Sequence, residues 1–389
     1  MPLPRLSSRW KSPSESRRVT KKIYFVAGET SGDNHGAALM RALRERAPEL
    51  QFVGRGGPKM YALAAEEFRD WIDQAAIVGL WEVIKHYRFF REQFRRTISE
   101  IAKTSPTAVV LIDYPGFNLR LARALRKKLP SLKILYYISP QVWAWNRRRI
   151  VKMGRWLDLM LCIFPFEPVL YNASGLKAVF VGHPLTGEIQ APAGTRDRRL
   201  IGLFPGSRQR EVRKIFPIMQ AAASELLQTD PGLHFEVAAA SESLAEIIRK
   251  DLRDDGERFS ITIGGARGLM QRAIVGLVAS GTATLEAALS KLPFVLVYRV
   301  AWLTYLAARA AVRVKYIGMP NVLADREIVP EFIQHEARPR RIALTVRQLL
   351  SDQSERMRML DNFDSVAKKL GSTEASANAA DTIIAELRQ

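Results

Sequence analysis

The chain has 389 residues, 47% apolar and 25% charged, a balance that supports two domains with separate cores and excludes extensive disorder. Its 59 Lys and Arg against 39 Asp and Glu give a formal charge of +20, so the partner is expected to be anionic: a nucleic acid, a phospholipid surface or a phosphorylated substrate. A single cysteine, Cys162, excludes an internal disulfide framework and a cysteine-based zinc cluster, and the 5 scattered histidines form no metal signature, so neither metal nor cofactor is expected.

Residues 1–20, MPLPRLSSRWKSPSESRRVT, lack an apolar segment and are read as a disordered extension and not a secretory signal, although the composition also suits an organellar transit peptide. From Lys22 short apolar runs alternate with helical patterns: IYFVA then 34–47, FVG then 79–104, AVVLID then 117–128, KILYYI then a basic helix, LMLCIF then 166–173, and AVFV. Such a βα series predicts a parallel sheet covered by helices on both faces. Residues 186–198 lose periodicity and gain Pro, Gly and charge, which reads as a linker. The series restarts with LIGLFP, HFEVAAA, FSITI, AIVGLVAS and PFVLVYR. The most apolar region, LPFVLVYRVAWLTYLAARAAV, is broken by Pro293, Arg299 and Arg309, and no run of about 18 apolar residues is available to span a bilayer. The predicted fold class is α/β, with two Rossmann-like doubly wound lobes, 21–185 and 199–340, an interlobe cleft, and a helical tail, 341–389, which can pack back on the first lobe.

In open α/β sheets ligands bind beyond the carboxyl ends of the strands, so the loops there carry the chemistry. After the first run comes GETSGD, whose glycines fit neither the dinucleotide nor the P-loop spacing. Glu29 and Asp33 place negative charge where a pyrophosphate would sit, so this turn is expected to hold hydroxyls or a cation. Read as a helix, 79–96 turns Leu80, Val83, Ile84, Tyr87, Phe90 and Phe94 to the core, and Trp81 and Phe89 outward among Lys85, Arg88, Arg95 and Arg96. That outer side suits an anionic bilayer or lipid, or is a solvated basic face with two stray aromatics. In IDYPGFN, Asp113 ends a buried run and suits a general base in the cleft if partial burial raises its pKa, while a helix cap would use the same residue. ISPQVWAWNRRRI sets Trp143 and Trp145 beside Arg147, Arg148 and Arg149, a mixture that also fits single-stranded nucleic acid, though no nucleic-acid module pattern is present.

In the second half, LFPGSRQREV follows a run and opens a helix: Gly206 permits close approach, Ser207 and the helix amides suit phosphate oxygens, and Arg208 adds a bidentate cation. An ordinary helix start with a surface arginine has the same letters. VASGTATLEAAL repeats the design with Ser280, Gly281 and Thr282, and Glu286 suits ribose hydroxyls; Ser280 as a simple N-cap is the alternative. With no Asp-x-Asp pair to clamp Mg²⁺, a leaving diphosphate would rest on Arg208 and helix amides.

The stretches GETSGD, FVGRGGPKM, IDYPGFN, ISPQVWAWNRRRI, PFE, FVGHPL, LFPGSRQREV, ASGTATLEAAL and MPNVLADREIVPEFIQ resemble, in order and spacing, the motifs of the lipid-A-disaccharide synthase family. The likeness runs from about residue 22 to the C-terminus, with 1–20 outside it. It implies an inverting glycosyltransferase of the two-lobed GT-B architecture. Such an enzyme condenses UDP-2,3-diacylglucosamine with 2,3-diacylglucosamine 1-phosphate to the β-1,6-linked disaccharide 1-phosphate and UDP, by one direct displacement.

The resemblance also implies roles. Asp113 would take the proton of the acceptor 6-hydroxyl, with Asn118 supporting its turn. Gly206, Ser207, Arg208, Ser280, Gly281 and Thr282 would hold the UDP diphosphate, Glu286 the ribose, and Asn321 would face the donor site. Glu29, Ser31, Gly32, Asp33, Asn118, Trp143 and Asn146 would form the acceptor side. Trp81, Lys85, Arg88 and Phe89 would meet the membrane, and Leu80, although on the core arc, is counted with them. The departures are Gly116, where the family shows an acid, and Gln141, where it shows a small residue; the first leaves Asp113 without a second carboxylate. The implied partners are the two acylated sugars and an anionic inner-membrane surface touched peripherally from the cytoplasm, with no nucleic acid; a homodimer is left open. The rival readings are another UDP-N-acetylglucosamine transferase or a UDP-sugar 2-epimerase of the same fold, and a basic nucleic-acid-binding protein.

Overall fold

The computed structural model describes residues 21–72, 87–145, 148–189, 194–252, 258–301, 315–371 and 374–388. In chain order the first part runs β1 (Lys22–Ala27), α1 (Thr30–Arg46), β2 (Gln51–Gly56), α2 (Pro58–Tyr61), β3 (Phe68–Asp70), α3 (Tyr87–Thr104), β4 (Ala108–Ile112), α4 (Pro115–Lys128) and β5 (Lys133–Tyr137). There follow α5 (Val142–Trp145), α6 (Arg148–Met153), β6 (Leu159–Cys162), α7 (Glu167–Asn172), β7 (Ala178–Phe180) and α8 (Leu185–Glu188). The second part holds β8 (Asp197–Phe204), α9 (Gln209–Leu227), β9 (His234–Ala239), α10 (Glu242–Leu252), β10 (Phe259–Ile263), α11 (Ala266–Arg272) and β11 (Ala273–Ala279). It continues with α12 (Thr282–Leu289), β12 (Phe294–Tyr298), α13 (Met319–Ala324), β13 (Glu331–Ile333), α14 (Pro339–Ser351), α15 (Gln353–Lys369) and α16 (Ala375–Arg388).

The strands form two parallel sheets, one of 7 in the order β3-β2-β1-β4-β5-β6-β7 and one of 6 in the order β10-β9-β8-β11-β12-β13. This is the doubly wound arrangement, and its order reverses between β1 and β4 and again between β8 and β11. Central strands such as AVVLI at β4 are buried along their whole length, because helices cover both faces and leave no polar side to alternate with. Two edge strands, β3 and β13, escape the sequence pattern: FRD and EFI are short and mix charged with apolar residues, whereas the equally short β7 is the wholly apolar AVF. Both ends of the 186–198 stretch are ordered, since α8 reaches Glu188 and β8 starts at Asp197. There the Arg196 guanidinium donates to the carbonyls of Met270, Ala273 and Ser290, fixing the start of the second lobe.

The last helix lies on the first lobe. Ala379, Ala380 and Ile383 of α16 are buried, and α16 packs along α1. Arg46 meets Asp381 at 2.6 Å, Lys177 meets Glu386 at 2.7 Å, and the Asn378 side chain donates to the Val181 carbonyl at 3.1 Å. No helix among the described residues is long and apolar enough to cross a membrane.

Candidate active site

At the switch point of the second sheet two turns face one cavity. The chain leaves β8 through Gly206 (φ 111°) and leaves β11 through Gly281 (φ 137°), left-handed positions that a side chain would strain. Each turn opens directly into a helix, α9 capped by Arg208 and α12 capped by Gly281, and neither cap uses a side chain. The first amides of both helices therefore stay open to a ligand, at the positive ends of the helix dipoles. Ser280 is thus not the N-cap. The two turns line a cavity of about 470 Å³ that gathers Gly206, Ser207, Arg208, Ser280, Gly281, Thr282 and Glu286, with small residues beyond β9 and β10 forming its far wall.

Arg208 projects with 80% of its side chain exposed and pairs with Glu211 at 3.0 Å. Burial raises the Glu286 carboxyl above the ordinary carboxylate range, against the lowering effect of Arg267. Arg267 itself reaches across the lobes to Glu188 at the end of α8, at 2.7 Å. Asn321 is not part of this cavity, which corrects the expectation that it faces the donor. Its side chain is fully buried, accepting from the Ile328 and Val329 amides at 2.8 and 2.9 Å and donating to the Val329 carbonyl and Glu331 at 2.8 Å.

On the first lobe Asp113 and Tyr114 leave β4 with consecutive positive φ angles, 43° and 50°. Backbone in this region is costly for residues with a Cβ, and several bonds hold it in place. The Asp113 amide donates to the Tyr137 carbonyl at 3.0 Å, and the Asp113 carbonyl accepts from Tyr136 Oη at 2.6 Å and Asn118 Nδ2 at 2.8 Å. The Asp113 carboxyl is pushed up to about 6, first by burial and then by the charge of Glu29. Asn118 is fully buried and holds the turn; it does not reach the cleft as an acceptor ligand.

The GETSGD turn divides between fold and site. Glu29 caps α1 and, like Ser31, is exposed. Gly32 and Asp33 are buried, which corrects their reading as acceptor ligands. The Asp33 carboxylate accepts from the amides of Gly57 (3.0 Å), Lys59 (3.0 Å) and Met60 (2.9 Å), so it caps α2. Gly32 packs against Ala27 on β1.

Trp143 is likewise a buried anchor and not a contact surface: it is 5% exposed, stands edge-on to Phe166, and donates from Nε1 to Glu167 at 2.9 Å. Glu167, which sequence reasoning noted only within PFE, proves to be the organising group here. Its fully buried carboxyl also accepts from Ser139 Oγ at 2.5 Å and the Phe164 amide at 3.0 Å, and burial pushes it up to about 7. Tyr171 Oη adds a bond to the Pro140 carbonyl at 3.0 Å. The loop after β5 is thereby stapled to α7. Asn146 lies outside the described residues.

Of the expected membrane face, Leu80, Trp81 and Lys85 lie outside the described residues. Arg88 is exposed on α3, and Phe89 is half-buried edge-on to Phe90, while Phe90 and Phe94 pack on the core as the periodicity predicts.

Two doubly wound lobes, with two helix starts free of side-chain caps around one cavity, define the GT-B architecture. Residues 23–385 match the family described as Lipid-A-disaccharide synthetase, and the lipid-A-disaccharide synthase of Geobacter sulfurreducens is 36% identical over 379 residues, 95% of this chain and 98% of that protein. The chain belongs to the lipid-A-disaccharide synthase family, whose members make the lipid A disaccharide. The fold is shared with the S. aureus MnaA-UDP co-structure (TM-score 0.64, 12% identity, 95% and 97% of the two chains covered). It is shared also with the glycotransferase of kitacinnamycin (TM-score 0.61, 15% identity, 95% and 99% covered).

Proposed function

We propose that the enzyme moves a 2,3-diacylglucosamine unit from UDP to 2,3-diacylglucosamine 1-phosphate by a single inverting displacement. The observation that carries this reading is the position of the half-buried Asp113 carboxyl just beyond the end of β4, on the lobe opposite the two helix starts, where burial pushes it up to about 6. Asp113 takes the proton of the acceptor 6-hydroxyl as its oxygen attacks the anomeric carbon, and the bond from that carbon to the diphosphate breaks on the other side. The diphosphate charge is received by the amides at Ser207, Arg208, Gly281 and Thr282, with Ser280 and Gly206 shaping the turns. The Arg208 guanidinium exchanges part of its contact with Glu211 for a diphosphate oxygen. Glu286 accepts from the ribose hydroxyls. Glu29 and Ser31 border the acceptor.

The net charge of +20 and the exposed Arg88 on α3 support peripheral contact with an anionic membrane from the cytoplasmic side. The deciding measurement is UDP release from UDP-diacylglucosamine with and without the acylated sugar phosphate. Release that depends on the acceptor is expected. Conversion of a UDP-sugar without acceptor would replace this reading by an epimerase.

A further inference from the structure

A second and larger cavity, about 770 Å³, opens in the C-terminal lobe. The two cavities share α9, whose first turn serves the nucleotide cavity, while Arg213, Lys214 and Ile218 further along it line this one. The opposite wall is the chain leaving β12, Arg299 and Val300, and the rim includes His335. The wall is built and not a loose fold of loop. Gln334, buried with φ 53°, accepts from the Val300 amide at 3.1 Å and donates to its carbonyl at 3.4 Å. Among the described residues Arg213, Lys214 and Arg299 have no carboxylate or hydrogen-bond partner, and no acid lines the cavity. Arg338 and Arg341 nearby are each engaged, with the His335 carbonyl and with Glu336. Three exposed cations around one space with no acid in its lining set a positive potential there, which favours an anion. The apolar floor at Ile218 and Val300 adds a place for hydrocarbon.

We propose that this cavity binds the phosphate of an acylated amphiphile, with the phosphate between Arg213, Lys214 and Arg299 and the acyl part against the floor. Two sources carry that chemistry. One is the acylated sugar 1-phosphate acceptor, which rests on the function proposed above; the other is a lipid headgroup of the bilayer.

The test compares the full-length protein with an Arg213→Ala/Arg299→Ala variant in titrations with three probes. These are a monomeric short-chain diacylglucosamine 1-phosphate, dihexanoyl phosphatidic acid, and UDP. At least one of the two phosphate amphiphiles should bind about tenfold or more weakly, the loss expected for one charge-assisted hydrogen bond, while UDP binds unchanged. Loss confined to the sugar phosphate assigns the cavity to the acceptor, and loss with phosphatidic acid assigns it to a headgroup. Unchanged binding of both amphiphiles overturns the proposal. If the double variant also loses UDP, Arg299→Gln alone is judged by the same criterion. Because the readout is binding, the result stands even if the assignment of the reaction fails.

Discussion

The ring of Tyr114 occupies the space where a side chain on Gly28 would stand: a Cβ there would lie 2.3 Å from Tyr114 Cδ1. The first residue of GETSGD therefore sets how closely the strained turn after β4 approaches the turn after β1. Gly28→Ala should displace the ring and with it Asp113. The expected cost is about 1–3 kcal/mol of stability, in the range of overpacking, with a fall in turnover larger than the fall in UDP affinity. Thermal unfolding and UDP titration measure the two parts; turnover at the normal level would show that the ring moves independently of the carboxyl.

Asp113→Asn should lower turnover by roughly 100- to 10,000-fold, the usual contribution of a general base, with UDP binding near normal. In the native enzyme the rate should rise with pH through about 6 as the carboxyl ionises, then level off. The same carboxyl binds protons more tightly folded than unfolded, so its contribution to stability is fully present below its ordinary value near 3.8 and is lost as pH rises through about 6. The Asn variant should accordingly melt higher than the native protein at pH 7 to 8. A lower melting point across that range would contradict the burial argument.

Asp33→Ala tests the distinction between supporting the turn and touching substrate. Three amides around Gly57–Met60 lose their acceptor, and a loss of about 1–3 kcal/mol is expected from leaving buried donors unpaired. The KM for the acceptor should stay within about twofold at a temperature where the variant is folded. A large rise in KM with normal stability would return Asp33 to the acceptor side.

Glu167→Gln exchanges an acceptor for a group that must point an NH2 at a donor, because Ser139, Trp143 and the Phe164 amide all donate to it. Stability and turnover should both fall, with UDP affinity held. Burial pushes the native carboxyl from its ordinary 4.5 up to about 7, so its stabilising contribution is present below 4.5 and is lost as pH rises through about 7, and the variant should lack that component of the pH dependence. An unchanged stability–pH curve would mean the staple is not titrating.

Most of the architecture was legible because buried parallel strands are short unbroken apolar runs, as at β4 and β8, and because glycines at φ near 111° and 137° mark the turns that face the cavity. The division of labour inside the motifs was not legible. Asp33 finds its partners 24 to 27 residues away, and Asn321 holds amides 7 and 8 residues on, so neither spacing announces a buried clamp. Trp143 reads as an exposed aromatic among arginines until Glu167, 24 residues later, is seen to take its N–H. A polar or aromatic residue in a motif is equally suited to gripping backbone or ligand, and only the fold says which.

The docking of α16 on α1 has a mechanical consequence. The chain crosses between the lobes twice, once after α8 and again between α15 and α16, so the two bodies are joined by a pair of tethers. A single tether would permit swivelling in any direction. Two tethers, joined to each other where the His183 amide donates to the Leu370 carbonyl at 3.0 Å, restrict that freedom and tie the end of the second lobe's last helix to the end of the first lobe's sheet.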